Sequence, residues 1–248
     1  MKMKNIKNWM ILIICTTAFF KPYCVEAEEQ NSVSEGVGYI ERLEKKETSE
    51  IEEQIKEVKR QERQRAMENG ELSVWDQFYD SIIMGDSRIV GLTEYELMDS
   101  DHVIANPGDR IDVIPEYLET ISVLNPEKLF LCYGLNDVMG YYATPSEFTD
   151  KYHTILVQIK EKLPNVEIYI NSILPVQEMA LYQNAGFSEI DSYNEALRIL
   201  CENNGYGFID NTQLVQEHMD LYEDDGIHLM KDFYEYWLMN MANGVEIE

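Results

Sequence analysis

From residue 81 onward, short apolar runs of strand length alternate with stretches whose apolar residues recur every three or four positions. The runs are Ser81–Gly85, His102–Ala105, Lys128–Gly134, Glu167–Ile173 and Tyr206–Asp210. Between them stand Ile111, Ile114, Leu118 and Ile121, then Phe148, Tyr152, Ile155 and Ile159, then Ile190, Tyr193, Leu197 and Leu200. Recurrence at three and four lays one apolar stripe along a helix, whereas a strand that is apolar at nearly every position has both faces covered. Their alternation predicts an α/β domain of three layers, α/β/α, around a central, mostly parallel sheet of about five strands. In such sheets ligands bind beyond the carboxyl ends of the strands.

The rest of the chain reads differently. Residues 1–27 have the pattern of a secretory signal: Lys2, Lys4 and Lys7, then the apolar run from Trp9 to Phe20, then Val25-Glu26-Ala27 at a cleavage position. The run is short for a membrane-spanning helix, so cleavage after Ala27 is expected, with a retained membrane anchor as the alternative. Residues 28–70 form a polar leader followed by a charged segment, in which Ile51, Ile55 and Val58 mark one narrow helical stripe. A solvated helical stalk is expected there, and a single domain over 71–248. The formal net charge of −26 becomes more negative once the signal and its lysines are removed, and such a field excludes nucleic acid as a partner. Beyond the signal only Cys132 and Cys201 remain; both fall in core elements, as buried thiols do, and no metal or cofactor is expected.

Four segments bear residues suited to acyl transfer, which needs a nucleophile, a base, a group to orient the base, and donors for an oxyanion. Ser87, in Gly85-Asp86-Ser87, follows the first strand and opens a helix; its alternative role is to cap that helix. His228, in Asp225-Gly226-Ile227-His228, is the histidine that lies in a loop, and Asp225 can reach it round the glycine turn. Asn136, in Gly134-Leu135-Asn136-Asp137, offers a neutral amide donor, and Gly108, after Asn106-Pro107, offers a backbone N–H. Each residue has an ordinary explanation as a cap, turn former or surface group. Their order, mostly at the ends of successive strands, favours the chemical one.

The set resembles the SGNH hydrolases, also called the GDSL esterase and lipase family, over about residues 80 to 243. The blocks are Gly85-Asp86-Ser87, Gly108, Gly134-Leu135-Asn136-Asp137 and Asp225-Gly226-Ile227-His228. Ile111 stands where many members carry a second glycine. The resemblance implies a flavodoxin-like α/β/α fold, with Ser87 as nucleophile, His228 as base and Asp225 as its partner. It also implies an oxyanion hole built from the N–H groups of Ser87 and Gly108 and the side chain of Asn136. The expected activity is that of a secreted or cell-surface serine esterase acting on a short acyl ester, acetyl on a carbohydrate. An acyltransferase delivering the same group to a cell-wall sugar, and a non-catalytic scaffold, are the alternatives. Membrane or cell-wall association would run through the N-terminal segment. The connections Leu174–Ser188 and Met139–Tyr142 either wall the substrate pocket or fold onto the domain's own helices, and Arg88 is expected to pair with a nearby acid.

Overall fold

The computed structural model describes residues 73–245, together with Ile51, Gln54, Val58, Gln61, Glu62, Arg65, Ala66 and Asn69. The signal and leader, and most of the stalk, lie outside the described residues. Of the positions described there, Ile51 and Val58 are helical and exposed. Among the described residues no helix is long and apolar enough to cross a membrane.

The domain is built on five parallel strands: β1 (Ser81–Gly85), β2 (Val103–Ala105), β3 (Lys128–Cys132), β4 (Glu167–Asn171) and β5 (Gly207–Ile209). Their spatial order is β2-β1-β3-β4-β5, the flavodoxin-like order, in which the chain turns to opposite sides of β1 and leaves a crevice above the β1 and β3 ends. The helices are α1 (Ser87–Glu94), α2 (Leu118–Leu124), α3 (Pro145–Lys162), α4 (Glu178–Leu181), α5 (Ile190–Asn204), α6 (Thr212–Glu217) and α7 (Lys231–Gly244).

Strand periodicity divides the core in two. Ile82 and Met84, Leu129 and Leu131, and Ile168 and Ile170 point to one face, where Phe148, Tyr152, Ile155 and Ile159 of α3 and Tyr193 and Leu197 of α5 cover them. Ile83, Phe130, Tyr169 and Ile209 point to the other, against Ile89 and Leu92 of α1 and Phe233, Trp237, Leu238 and Met241 of α7. Each such side chain contributes roughly 1.5–3 kcal/mol by leaving water, so both layers are anchored to the sheet along its length. Cys132 and Cys201 are free and buried.

One expected helix is divided. Ile111–Tyr117 is a 3-10 helix containing Pro115, and α2 begins only at Leu118. Proline has no N–H to continue an α-helical ladder and its ring crowds the preceding turn. The buried Ile111 and Ile114 therefore pack from the tighter helix, and Ile121 from the α-helix.

The first described stretch, a 3-10 turn at Trp75–Phe78, lies just ahead of β1. It is pinned by Phe78, whose ring meets Phe130 edge-on at 5.3 Å. The chain thus reaches β1 from the amino end of the sheet, the end opposite the crevice.

Candidate active site

β1 ends at Gly85, level with Ala105 of β2 and Cys132 of β3, and the chain turns at once into α1. A Cβ on Gly85 would lie 2.4 Å from Ile89 Cγ1 and 2.8 Å from the Cys132 carbonyl oxygen, so only glycine lets the helix start this close to the sheet. The helix cap is Asp86, not Ser87: its Oδ1 accepts the Arg88 backbone N–H at 3.0 Å. The Ser87 hydroxyl is thereby left for another partner. That partner is His228, whose Nε2 lies 3.0 Å from Ser87 Oγ.

His228 is aimed from the other side by Asp225. Asp225 Oδ2 lies 2.6 Å from His228 Nδ1, and its Oδ1 accepts the backbone N–H groups of Ile227 (2.8 Å) and His228 (2.9 Å). An ionised carboxylate can only accept, so the proton sits on Nδ1 and Nε2 accepts from the serine O–H. Burial works to raise the Asp225 carboxyl, but the His228 ring and the two backbone N–H groups outweigh it and hold it below the usual carboxylate range. The Asp–His turn is compact because Gly226 takes φ +69°, a conformation unfavourable for a side-chain-bearing residue. It is closed by Glu223 N–H donating to the His228 carbonyl at 2.9 Å and by an antiparallel bridge between Tyr222 and Leu229. The side chains of His228 and Asp225 remain 45% and 40% exposed, so water reaches the base.

The remaining two segments meet beside Ser87. Asn136 donates through Nδ2 to the Asp109 carbonyl at 2.9 Å, which joins the turn after β3 to the Asn106–Asp109 turn carrying Gly108. Its other contact, 3.5 Å to Asp86 Oδ2, is at the limit of a hydrogen bond, leaving one amide hydrogen open to a stronger acceptor. Ile111, the position of the missing second glycine, has its side chain in the core and its N–H directed at Asp137 Oδ1, 3.4 Å away.

Asp137 is fully buried, and burial pushes its carboxyl up to about 7, the Ile111 N–H offsetting this only in part. The folded protein therefore keeps a proton that an unfolded aspartate, with the ordinary value of 3.8, has already lost. Its contribution to stability is greatest below that ordinary value, declines as pH rises, and levels off above about 7. Asp137→Asn keeps the acceptor and removes the titration. Its melting temperature relative to wild type should thus rise between about pH 5 and about pH 8; a gap independent of pH would show that Asp137 does not titrate in this range.

Three features were not read from the sequence. Asp86 is the cap and lies buried beneath Asn136; burial raises its carboxyl, with Arg88 opposing. An acidic residue just ahead of a helix is itself a capping signal, so this was available. Arg88 does not pair with an acid, as had been expected: it is buried and donates to the carbonyls of Ile227 (Nε, 3.0 Å) and Leu174 (Nη1, 2.7 Å). The connection after β4 packs against the Asp–His turn, with Gln177 N–H on the Gly226 carbonyl (2.9 Å) and Gln183 Nε2 on the Asp225 carbonyl (3.0 Å). Its Ala180 and Phe187 enter the core, while Met179 and Tyr182 stay exposed. In the loop after Asn136, Met139 and Tyr141 are exposed, and Tyr142 turns inward onto Phe148. Among the described residues no group of three or more His, Cys, Asp or Glu side chains converges as metal ligands.

Comparison with known proteins places this geometry. The model of the GDSL-like Lipase/Acylhydrolase family matches residues 86–236. Solved structures with the same fold include a lipase/acylhydrolase from Enterococcus faecalis (15% identity, TM-score 0.52, covering 65% of this chain and 93% of that one). A GDSL-like lipase from Bacteroides thetaiotaomicron is similar at 17% identity and TM-score 0.51, covering 72% and 93%. A catalytic mutant of an acetylxylan esterase from Geobacillus stearothermophilus is similar at 15% identity and TM-score 0.50, covering 68% and 94%. No curated protein matches the sequence.

Proposed function

The chain belongs to the GDSL-like lipase/acylhydrolase family, whose members are serine hydrolases acting on esters, and on that premise we propose that it is an exported esterase removing a short acyl group, acetyl, from a carbohydrate. The observation that carries the chemical part is the chain of contacts from Ser87 Oγ through the His228 ring to Asp225, at 3.0 and 2.6 Å. Ser87 Oγ attacks the ester carbonyl while His228 Nε2 takes its proton, and Asp225 stabilises the imidazolium that forms. The oxyanion is met by the N–H groups of Ser87 and Gly108 and the open amide hydrogen of Asn136. Collapse expels the alcohol, which takes the proton from Nε2 and leaves an acyl-Ser87. Water, deprotonated by the same nitrogen, then releases the carboxylic acid and restores the serine. The exposure of His228 supports water as the second reactant.

A short acyl group is supported by the connections that flank the site, whose exposed side chains alternate Met139 and Met179 with Tyr141 and Tyr182 and so form no continuous apolar wall for an alkyl chain. Around the site, exposed Tyr141, with the Arg110 guanidinium 3.8 Å over its ring, offers a polar-edged aromatic surface of the kind that suits a sugar. The family match supports ester chemistry, and the basic-then-apolar N-terminus supports export.

The test is kcat/KM along a series from acetyl to octanoyl esters of one alcohol. A tunnel for lipid would add up to about 0.8 kcal/mol, roughly fourfold, for each CH2 buried. The expected result is a fall beyond acetyl or propionyl, whereas a steady rise would replace the carbohydrate reading with a lipid one. Product analysis in the presence of a sugar acceptor separates hydrolysis, expected here, from transfer, and failure of a serine-reactive phosphonate to label the wild-type protein would leave only a scaffold.

A further inference from the structure

Arg88 follows the nucleophile directly, yet its side chain turns away from the substrate side and is buried. Its two hydrogen bonds end on two other loops of the site. Nε donates to the carbonyl of Ile227, the residue before His228, and Nη1 donates to the carbonyl of Leu174, where the connection after β4 begins. That connection in turn holds the Asp–His turn through Gln177 and Gln183, and Tyr222, one strand of the small hairpin around that turn, donates to Pro175 at 2.6 Å. The Arg88 backbone is fixed at both ends: its N–H by Asp86 Oδ1 and its carbonyl by Tyr234 Oη at 2.7 Å. One guanidinium thus joins the helix bearing Ser87 to both loops that aim His228.

Stability alone does not account for an arginine here. Nη2 is buried without a hydrogen-bond partner in the protein, so the arginine is kept with one buried donor unsatisfied, which costs stability. What an apolar side chain cannot do is hold two carbonyls on separate loops at fixed directions, for which the planar fork of a guanidinium is suited. Nor can lysine, whose single ammonium is a compact point donor on a flexible stem.

We propose that Arg88 is a positioning residue of the esterase reaction: it sets the register between the Ser87 helix and the His228 loop on which the serine–histidine hydrogen bond depends. The inference rests on the esterase reading above. Misplacement of a catalytic pair by about 1 Å costs roughly 10²-fold in rate, and the loss falls on the chemical step rather than on substrate binding.

The experiment compares wild type, Arg88→Lys and Arg88→Met with an acetyl ester, taking kcat per active site from titration with a serine-reactive phosphonate, together with KM, the phosphonate labelling rate and the melting temperature. The expected result is that both variants lose roughly 10²-fold in kcat per titrated site with KM unchanged. Their labelling rates should fall in parallel. A merely structural arginine would lower the melting temperature and the fraction of titratable sites but leave kcat per site at the wild-type value, and that result overturns the proposal. If the Met variant does not fold, the Lys variant decides alone by the same criterion. Wild-type protein that the phosphonate does not label would defeat the esterase reading itself, whereas labelled wild type with unimpaired Lys and Met variants defeats only the role of Arg88.

Discussion

Ser87→Ala and His228→Ala should each reduce ester turnover on the order of 10⁶-fold, with the double substitution little worse than either. The reason is the single hydrogen bond that connects them: without the imidazole the hydroxyl keeps its proton, and without the hydroxyl the imidazole has nothing to activate. What survives comes from the oxyanion donors and from binding, which are untouched in either variant. Asp225→Asn should cost less, about 10⁴-fold, because it reverses the tautomer of His228 while leaving the ring in place. Folding should be intact, since neither Ser87 nor His228 is a core residue. Active-site-titrated kcat with circular dichroism on the same samples checks the set. Retention of more than about a tenth of wild-type kcat by a folded Ser87 or His228 variant would remove that residue from the mechanism.

Asn136→Ala should lower kcat by about 10²- to 10³-fold, about 3–4 kcal/mol of transition-state stabilisation, with little change in KM. The hydrogen bond from Asn136 to the Asp109 carbonyl gives the substitution a second route of action, because it also frees the turn that carries Gly108. Asn136→Asp separates the two. It removes both amide donors and sets a second carboxylate beside the buried Asp86, so it should be slower than the alanine variant if charge at the oxyanion position matters. An effect of either variant confined to KM would show that Asn136 positions the substrate and does not meet the oxyanion.

The fold was legible because its signals are local. Continuous apolar runs and a period of three and four are each written within a few residues, and the runs located all five strands with ends shifted by only a few residues. The division of the Ile111–Ile121 helix was also written locally, in Pro115, but the apolar spacing runs through it unbroken and hides it. The members of the site were visible as residue types at the ends of strands. What sequence did not show is how the loops holding them are tied together. Arg88 meets partners 139 and 86 residues away, both of them backbone carbonyls, and a carbonyl acceptor has no residue type to recognise. The same holds for Asn136 on Asp109 and Gln183 on Asp225. Among so many acidic side chains a carboxylate partner for Arg88 looked natural, yet the buried acid at hand, Asp86, spends Oδ1 on its capping bond.

Since all five strands run in one direction, every crossing of the sheet ends at the catalytic rim, and the chain arrives at the first of them, through the turn at Trp75–Phe78, from the opposite rim. A surface linked directly to the start of that turn would therefore hold the domain by its rear rim, with Ser87 facing outward, free to work on neighbouring chains rather than on the surface beneath it.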